Sequence, residues 1–360
     1  MPPKADVKTC AAQLQSFFVN AGAHPVEADI LQPAATLLDL YGEDIRARAY
    51  VTQDPLRGEQ MLRPDFTVPV VQMHMHDGAE PARYTYSGEV FRRQETDPDR
   101  ANEYMQVGYE VFDRDIAKAD AEVFALFSKA LSPLGLRAAT GDIGLLITAV
   151  QGLRTTDKRK AALMRHIWRP RRFRTLLERY SGRIPVPQTR QNLLVAADPM
   201  SEGGPLIGLR KRTEIAARIT ALHEDAAADP ISAIEVDMLE ELMALRETAS
   251  NALAALRDIM VDLPAITPAV DQLDRRLSEM NSQGINVDTL EFEASYGRTT
   301  LEYYDGFVFG FYSDARPDLP PVATGGRYDA LTRVLGNGRE IPAVGGMIRP
   351  GIVTELGSLS

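Results

Sequence analysis

Five short stretches of this chain carry side chains of the kinds that bind a small polar ligand, at residues 62–67, 91–92, 106–110, 301–306 and 325–329. A buried carboxylate that faces an ammonium group is favourable, because each charge offsets the desolvation cost of the other. An imidazole offers one donor and one acceptor, so a hydroxyl with a carboxylate or amide selects it over an aliphatic group. Any one of these side chains alone is equally consistent with packing or a turn, so their order along the chain carries the argument.

In that order the stretches resemble the amino-acid-activating core of histidyl-tRNA synthetases, which are class II enzymes. The family's R-P-E-G-T, Q-x-G-x-E and R-G-L-D-Y-Y correspond to residues 63–67, 106–110 and 299–304. The resemblance implies a pocket for histidine or a close relative of it. The residues implied are Asp65 and Thr67 for the α-ammonium group, Gln106 and Glu110 for the ammonium group and the imidazole, and Tyr303, Tyr304 and Tyr328 beside the imidazole.

The same comparison indicates that the activation chemistry is lost. Thr299 stands where the family has an arginine, and a guanidinium is hard to replace because its planar fork of donors matches a carboxylate or phosphate. Ile352 stands where the third motif has another arginine, and Gln94 replaces a glutamate expected to contact adenine. Arg92 and Arg100 are the residual residues of the phosphate side. We therefore expect a site that binds without activating, with no catalytic residue, metal or cofactor.

Arg298 directly precedes Thr299 but is not expected to replace the missing arginine. A shift of one residue along a strand turns the side chain to the opposite face of the sheet. Because no arginine is then available to bind the carboxylate of the ligand, we expect histidinol to bind about as well as histidine.

Composition is that of an ordinary globular protein without a membrane segment. The chain has 360 residues, of which 44% are hydrophobic and 25% charged, and a formal net charge of −10. No apolar run approaches the roughly 20 residues of a membrane span, and the excess of acids argues against general nucleic-acid binding. The single cysteine, Cys10, excludes an internal disulfide and a cysteine-rich zinc site. His74 and His76 share a face only in a strand, so a metal site there is not expected. We predict a cytoplasmic protein.

Hydrophobic periodicity predicts an α+β fold with strands before and after a helical insertion. The resemblance implies that the strands form a class II synthetase-like antiparallel sheet flanked by helices. We divide the chain into a first core part at 1–152, a helical insertion at 153–286 and a second core part at 287–360, with no anticodon-binding domain. Strand-like segments are predicted at 45–52, 83–88, 105–112 and 290–296. Helices are predicted at 11–21 and 120–131, and a strand, a turn and a helix at 136–153. The segment at 30–42 is predicted to be a strand entry or an interface segment, and residues 95–99 a loop.

A basic segment lies at the start of the predicted insertion. Residues 154–190 contain twelve Lys or Arg and two acids. Such a segment fits an acidic protein or nucleic-acid partner, and it fits equally a solvated helical face with arginine stems over apolar surface. Trp168 and Phe173 within it are interpreted as core anchors.

A synthetase core without activation chemistry or an anticodon-binding domain resembles the regulatory subunits of ATP phosphoribosyltransferase. That resemblance implies a non-catalytic protein of histidine biosynthesis, a homodimer within a hetero-oligomer that activates the short-form catalytic subunit and senses histidine. Two alternatives stay open. One is a tRNA-binding or stress-sensing relic of a synthetase, which would use the basic segment. The other is a truncated active aminoacyl transferase, which would need both lost arginines to be compensated.

Overall fold

The computed structural model describes residues 2–41, 45–94, 100–200, 208–298 and 304–357. Tyr303, Thr299 and the predicted loop at 95–99 lie outside these ranges. The described strands are β1 (His24–Pro25), β2 (Leu31–Pro33), β3 (Val51–Asp54), β4 (Gly58–Leu62), β5 (Ala82–Phe91), β6 (Glu103–Phe112), β7 (Arg137–Asp142), β8 (Arg246–Thr248), β9 (Glu291–Glu293), β10 (Phe307–Tyr312), β11 (Ala323–Arg327) and β12 (Ala343–Ile348). The described α-helices are α1 (Lys4–Asn20), α2 (Ala34–Tyr41), α3 (Ile45–Arg48), α4 (Thr67–Asp77), α5 (Ile116–Leu131), α6 (Ile143–Gly152), α7 (Asp157–Arg165), α8 (Pro170–Tyr180), α9 (Gln188–Val195), α10 (Arg212–Ala227), α11 (Ala233–Ala244), α12 (Ala249–Asp262), α13 (Thr267–Ser282), α14 (Asp329–Leu335) and α15 (Pro350–Leu356).

Nine of these strands form one sheet in the order β1-β5-β6-β12-β11-β10-β7-β9-β8, and β2-β4-β3 form a second. The central strands of the large sheet, β5 to β7 in that order, are antiparallel, whereas β1 pairs with β5 and β9 with β7 in parallel. The predicted neighbouring strands at 83–88 and 105–112 lie within β5 and β6, which pair along ten residues. The α+β architecture predicted from periodicity is confirmed.

The two faces of the large sheet have different roles because side chains alternate along each strand. On β6, Val107, Tyr109 and Val111 are buried in a core formed with α1 and α5, where Phe18 and Phe127 pack against the sheet. Gln106, Gly108 and Glu110 occupy the alternate positions and therefore face the other way. The predicted helices at 11–21 and 120–131 correspond to α1 and α5, which cover the apolar face.

Two early segments differ from prediction. Residues 45–48 form the short helix α3, and the strand β3 begins only at Val51, whereas a single strand was predicted over 45–52. The buried residues Ile45 and Ala49 are four positions apart, and the Ala49 N–H donates to the Ile45 carbonyl at 2.9 Å. That spacing is helical, so the apparent alternation was misleading. In the segment at 30–42, the strand covers only β2 and is followed directly by the helix α2.

The predicted strand at 290–296 is shorter than expected. It contains β9 only at Glu291–Glu293, and residues 294–298 form a turn. The Tyr296 N–H donates to the Glu293 carbonyl at 2.9 Å, and Gly297 has a φ of 82°, in the left-handed region that glycine enters at little cost. The chain therefore turns from Ala294 onward, where alternation alone predicted that the strand continues to Tyr296.

Between residues 157 and 282 the described chain is helical, from α7 to α13, apart from irregular connections, a 3₁₀ turn and the short strand β8, which pairs with β9. Several bases of the segment at 154–190 bind acids of the same block. The buried Arg159 donates from Nε to Asp225 at 2.6 Å, and Arg183 bonds Asp237 and Glu240. The outward arginines of α8, by contrast, are exposed. Phe173 is fully buried, as predicted for a core anchor.

A buried ionic cluster joins this helical block to the large sheet. Arg276 on α13 donates to Asp120 of α5 at 3.2 Å and to Asp142 at 2.7 Å. Arg327, the last residue of β11, donates to the other oxygen of Asp120 at 2.7 Å. Since isolated buried charges are costly, these groups fix the positions of one another. The cluster therefore fixes the end of β11, from which Tyr328 leaves the sheet.

The two histidines of the predicted segment, His74 and His76, lie on the helix α4. His74 is buried against Phe112, with ring centroids 3.9 Å apart, and His76 is exposed beside Asp77. In the described ranges, no group of side chains suits a metal ion. No helix within those ranges has both the length and the apolar character to cross a membrane.

Candidate ligand-binding site

The site is built on the face of the large sheet opposite α1 and α5, with Glu110 of β6 at its floor. Glu110 pairs with Gly345 of β12. A Cβ atom at position 345 would lie 1.5 Å from Glu110 Oε2, so only glycine there leaves room for the carboxylate. Gly108 has a similar role, since a Cβ atom on it would lie 2.0 Å from the Tyr86 ring. These two glycines make the cradle for a carboxylate and an aromatic ring.

Three hydroxyl groups donate to the buried Glu110 carboxylate. Thr67 Oγ1 and Tyr86 Oη each donate to Oε1 at 3.2 Å, and Tyr328 Oη donates to Oε2 at 2.5 Å. Sequence reasoning identified Thr67 and Tyr328 but missed Tyr86. The available signal was the pairing of β5 with β6, which places Tyr86 opposite Gly108.

The Glu110 carboxyl group can change protonation near neutral pH. Burial raises the pKa of Glu110 to about 7, and the hydroxyl donors Tyr328, Thr67 and Tyr86 act in the opposite direction, while the nearby Asp65 raises it further. A cationic ligand group placed against Glu110 would favour the ionised form. The site therefore suits a ligand with a donor or a positive charge at this point.

Asp65 and Thr67 are brought together with Glu110 by the start of α4. Asp65 is 8% exposed, and its Oδ1 accepts the Val68 N–H at 3.5 Å, a long contact that helps to begin the helix. Asp65 thus also has the turn role that the sequence left open. Its influence on the pKa of Glu110 places both carboxylates in one electrostatic environment.

Gln106 lies two positions beyond Gly108 on the same face of β6. It is 1% exposed, and its Nε2 has no acceptor among the residues that the structure describes. A buried amide donor without an acceptor costs on the order of 1–3 kcal/mol. Gln106 therefore offers a donor to a ligand at the pocket floor.

Tyr304 and Tyr328 complete the described wall of the pocket. Tyr304 is 6% exposed, and its Cδ1 would lie 3.0 Å from a Cβ atom at Gly326, so glycine admits the ring. Tyr328 is 1% exposed and begins the turn into α14. Tyr303, predicted beside them, falls outside the described ranges.

Asp305 secures the turn that carries Tyr328. Its carboxylate accepts the N–H groups of Asp329 at 3.0 Å and Ala330 at 2.5 Å, and the Asp305 N–H donates to the Arg327 carbonyl at 2.9 Å. Burial raises the pKa of Asp305 to about 7, with the Asp329 charge adding to the effect. Asp305 supports the pocket through the backbone, a role that the sequence did not indicate.

On the phosphate side, Arg92 is partly buried and Arg100 is exposed. Arg92 donates from Nε to the Pro64 carbonyl at 2.7 Å, so it supports the backbone next to Asp65. Arg100 is exposed at the turn before β6. Ile352, in place of the motif arginine, is buried in α15 at 9% exposure.

Arg349 is a basic residue of this region that sequence reasoning passed over. It follows β12, and its guanidinium lies in the electrostatic environment of Tyr104, Arg92 and Tyr304. Burial lowers the pKa of Arg349 to about 10, so it stays charged at neutral pH. The signal that could have found it is the extension of the β12 alternation beyond Met347.

Arg298 lies against the helical block, although it stands in the turn at 294–298, so the strand argument from its one-residue offset does not apply to it. Its Nε donates to the Ile167 carbonyl at 2.8 Å, and its guanidinium lies over the Phe173 ring at 5.1 Å from the centroid. Both partners belong to the helical block. Arg298 therefore packs the helices against the core and does not replace the missing arginine.

Comparison with known proteins identifies the family of the chain. A sequence profile of the family described as histidyl-tRNA synthetase matches residues 2–203 and 209–350. An ATP phosphoribosyltransferase regulatory subunit of Mesorhizobium japonicum is 31% identical over 375 residues, covering 93% of this chain and 94% of the relative. The protein of the same name from Brucella anthropi is 31% identical over 348 residues, covering 90% of each chain.

Solved structures show the same fold at lower identity. A protein of Bacillus halodurans described as an ATP phosphoribosyltransferase regulatory subunit/histidyl-tRNA synthetase superposes with a TM-score of 0.70 at 20% identity, covering 99% of this chain and 80% of that one. The histidyl-tRNA synthetase of Nostoc sp. PCC 7120 gives a TM-score of 0.65 at 16% identity, covering 98% and 72%. The fold is thus that of the class II synthetases. Together with the sequence matches, this shows that the chain belongs to the histidyl-tRNA synthetase family, among its members named ATP phosphoribosyltransferase regulatory subunit.

Proposed function

We propose that this chain has no catalytic activity of its own, activates the short-form catalytic subunit of ATP phosphoribosyltransferase and conveys histidine inhibition to it. The observation that carries the proposal is the buried Glu110, held by three hydroxyls next to the unpaired Gln106 donor. A pocket whose buried polar groups need partners rejects ligands that lack them. Histidine supplies a donor to Glu110 through its ammonium group or imidazole N–H, and an acceptor to Gln106 Nε2 through its other imidazole nitrogen or its carboxylate.

The absence of activation chemistry follows from the substituted positions. Ile352 is buried among apolar residues of α15, where it offers nothing to a nucleotide. Arg92 donates from Nε to a backbone carbonyl, and Thr299 stands where the family has an arginine. A protein that binds the amino acid without activating it can act only on a partner.

The relatives named as regulatory subunits imply a catalytic partner for those proteins, and we assign the same kind of partner to this one. A subunit without chemistry changes a partner's activity by binding one of the partner's states more tightly than another. A tenfold activation needs a difference of about 1.4 kcal/mol. We further propose a homodimer through the small sheet, where Ile30, Leu31 and Val51 are 47%, 48% and 41% exposed.

A steady-state assay of phosphoribosyl-ATP formation tests the proposal. The short catalytic subunit is measured alone, with this chain, and with this chain plus histidine. We expect the rate to rise on addition of the chain and to fall again with histidine. Glu110→Gln should weaken the inhibition and leave the activation largely intact, because the pocket and the docking surface are separate. Glu122→Gln, on the other side of the sheet where Arg83 and Tyr109 bind the carboxylate, is the matched control.

Unchanged rate and unchanged histidine sensitivity would reject the regulatory assignment. The exposed arginines of α8 then favour the tRNA-binding alternative, which predicts tRNA affinity that falls steeply with salt. Amino-acid-dependent pyrophosphate exchange by the isolated chain would instead identify an active aminoacyl transferase.

A further inference from the structure

Arg349 occupies a defined place on the pocket floor. The ladder between β12 and β6 runs to the pair Ile348 and Val107, so the next residues in register are Arg349 and Gln106. Arg349 is still extended, with φ −102° and ψ 95°, and its N–H donates to the Val322 carbonyl at 2.9 Å. The strand geometry therefore continues through this residue.

Alternation then places the Arg349 side chain on the Glu110 face. Gly345 lies on that face, because a Cβ atom there would meet the Glu110 carboxylate, while a Cβ atom at Gly346 would meet Phe127 in the opposite core. Residues two and four positions after Gly345 share its face. Arg349 is four positions after it, on the same face as the orphan Gln106 amide.

Among the residues that the structure describes, the guanidinium of Arg349 has no acidic partner. Its Nη1 donates to the Pro321 carbonyl, and no ion pair with it occurs in the described residues. Arg92 is close enough to add to the lowering of its pKa, so two positive charges are near one another here. A guanidinium that has no acidic partner among the described residues raises the local potential and attracts an anion.

We propose that Arg349 forms an oxyanion subsite that binds the carboxylate of the amino-acid ligand, which restores a function lost with the arginine at position 299. This inference rests on the proposed function, since it assumes an amino-acid ligand against Glu110. Glu110 and Gln106 are four positions apart on the strand, about 13 Å between Cα atoms. Side chains lean in from both ends, so the ligand's donor groups meet Glu110 at one end and its carboxylate meets Arg349 and the Gln106 amide at the other.

The subsite reverses an expectation drawn from sequence. Loss of the arginine at Thr299 predicted that histidinol, which has an alcohol in place of the carboxylate, binds as well as histidine. An arginine that bonds the carboxylate gives histidine the advantage, because charge-assisted bonds are roughly twice as strong as neutral ones. The ratio of the two affinities therefore reports on Arg349 directly.

Calorimetric titration of the full-length protein with L-histidine and with L-histidinol tests the subsite. We expect wild type to bind histidine at least about tenfold more tightly than histidinol. Arg349→Gln should lower histidine affinity about tenfold while leaving histidinol affinity nearly unchanged, and Arg349→Lys should fall between. The ratio of histidine affinity to histidinol affinity is used because local damage to the pocket would weaken the binding of both ligands equally. The matched control is Arg333→Gln, an exposed arginine of α14 that pairs with Glu340 and should change neither affinity.

The outcomes separate this inference from the function it rests on. If wild type binds histidine and histidinol equally, or if Arg349→Gln leaves their ratio unchanged, the subsite is wrong and the histidine pocket stands. If neither ligand binds to the protein or its complex, the pocket assignment fails, and the subsite with it. If AMP or inorganic phosphate competes with histidine only when Arg349 is present, the subsite is one for phosphate, which also overturns the assignment to the carboxylate.

Discussion

Tyr328 Oη lies 2.5 Å from Glu110 Oε2, and this bond joins the end of β11 to the middle of β6 across the pocket. The residue before Tyr328 is Arg327, which bonds Asp120 in the buried ionic cluster on the other side of the sheet. At the end of β11, the Tyr328 hydroxyl therefore lies on one face of the sheet and the Arg327 guanidinium on the other. The ion pairs of Arg327 thus help to fix the position of Tyr328.

Tyr328→Phe should raise the pKa of Glu110 above its value of about 7, because the Tyr328 hydrogen bond stabilises the ionised carboxylate. The carboxyl carbon shift of Glu110, followed by NMR across pH, measures this directly. Histidine affinity should then require a higher pH than in wild type. Tyr296→Phe removes a hydroxyl that bonds Tyr312 instead and serves as control. An unchanged Glu110 titration would show that Tyr328 does not stabilise the carboxylate.

Asp120→Asn should destabilise the fold strongly, since it leaves Arg276 and Arg327 buried without their shared carboxylate. Removing one partner of a buried ion pair costs about 3–5 kcal/mol. Asp274→Asn removes the carboxylate of a half-exposed pair with Arg257, and should cost less than about 1 kcal/mol. Urea unfolding of both variants provides the comparison. Equal losses would mean that the buried cluster contributes no more than a surface pair.

The pocket residues were predictable where residue type and strand order agree. Gln106 and Glu110 are four apart on β6, and alternation alone puts them on one face. Tyr86 was missed because its place beside Glu110 depends on the register between β5 and β6, and the position of Arg349 opposite Gln106 likewise depends on the register between β12 and β6. Neither pairing is encoded by the spacing within a single stretch.

The errors in the predicted secondary structure arise because a short segment of sequence can fit more than one conformation. Ile45 and Ala49 fit both a helix and a loosely alternating strand, and only the contacts of α3 decide between them. After Glu293 the chain turns, with Gly297 in the left-handed region, although Ala294 and Tyr296 continue the alternation. Tertiary contacts override a short periodic signal in both segments.

Stability should decrease in weak acid because of His74. Burial lowers the pKa of His74 to about 4 from its ordinary 6.5, so between these values the unfolded chain binds more protons than the folded chain. Stability is therefore fully present above pH 6.5 and is lost as the pH falls toward 4, by at most about 3 kcal/mol. His74→Gln should flatten this part of the profile of unfolding free energy against pH. His76→Gln, at an exposed position on the same helix, should leave it as in wild type.

The small sheet should hold two copies of the chain together. Within the described residues, β2 and β3 each pair only with β4, so the outer edge of β2 is open beside the exposed Ile30 and Leu31. Open apolar edges are surfaces on which a second chain adds. Leu31→Asp should convert the dimer to a monomer at micromolar concentration in sedimentation equilibrium, because a dimer would bury the new charge. Val261→Asp introduces the same charge at a 78% exposed position of α12 and should leave the dimer intact. A wild-type monomer, or a Leu31→Asp dimer as tight as wild type, would place the contact between copies elsewhere or remove it.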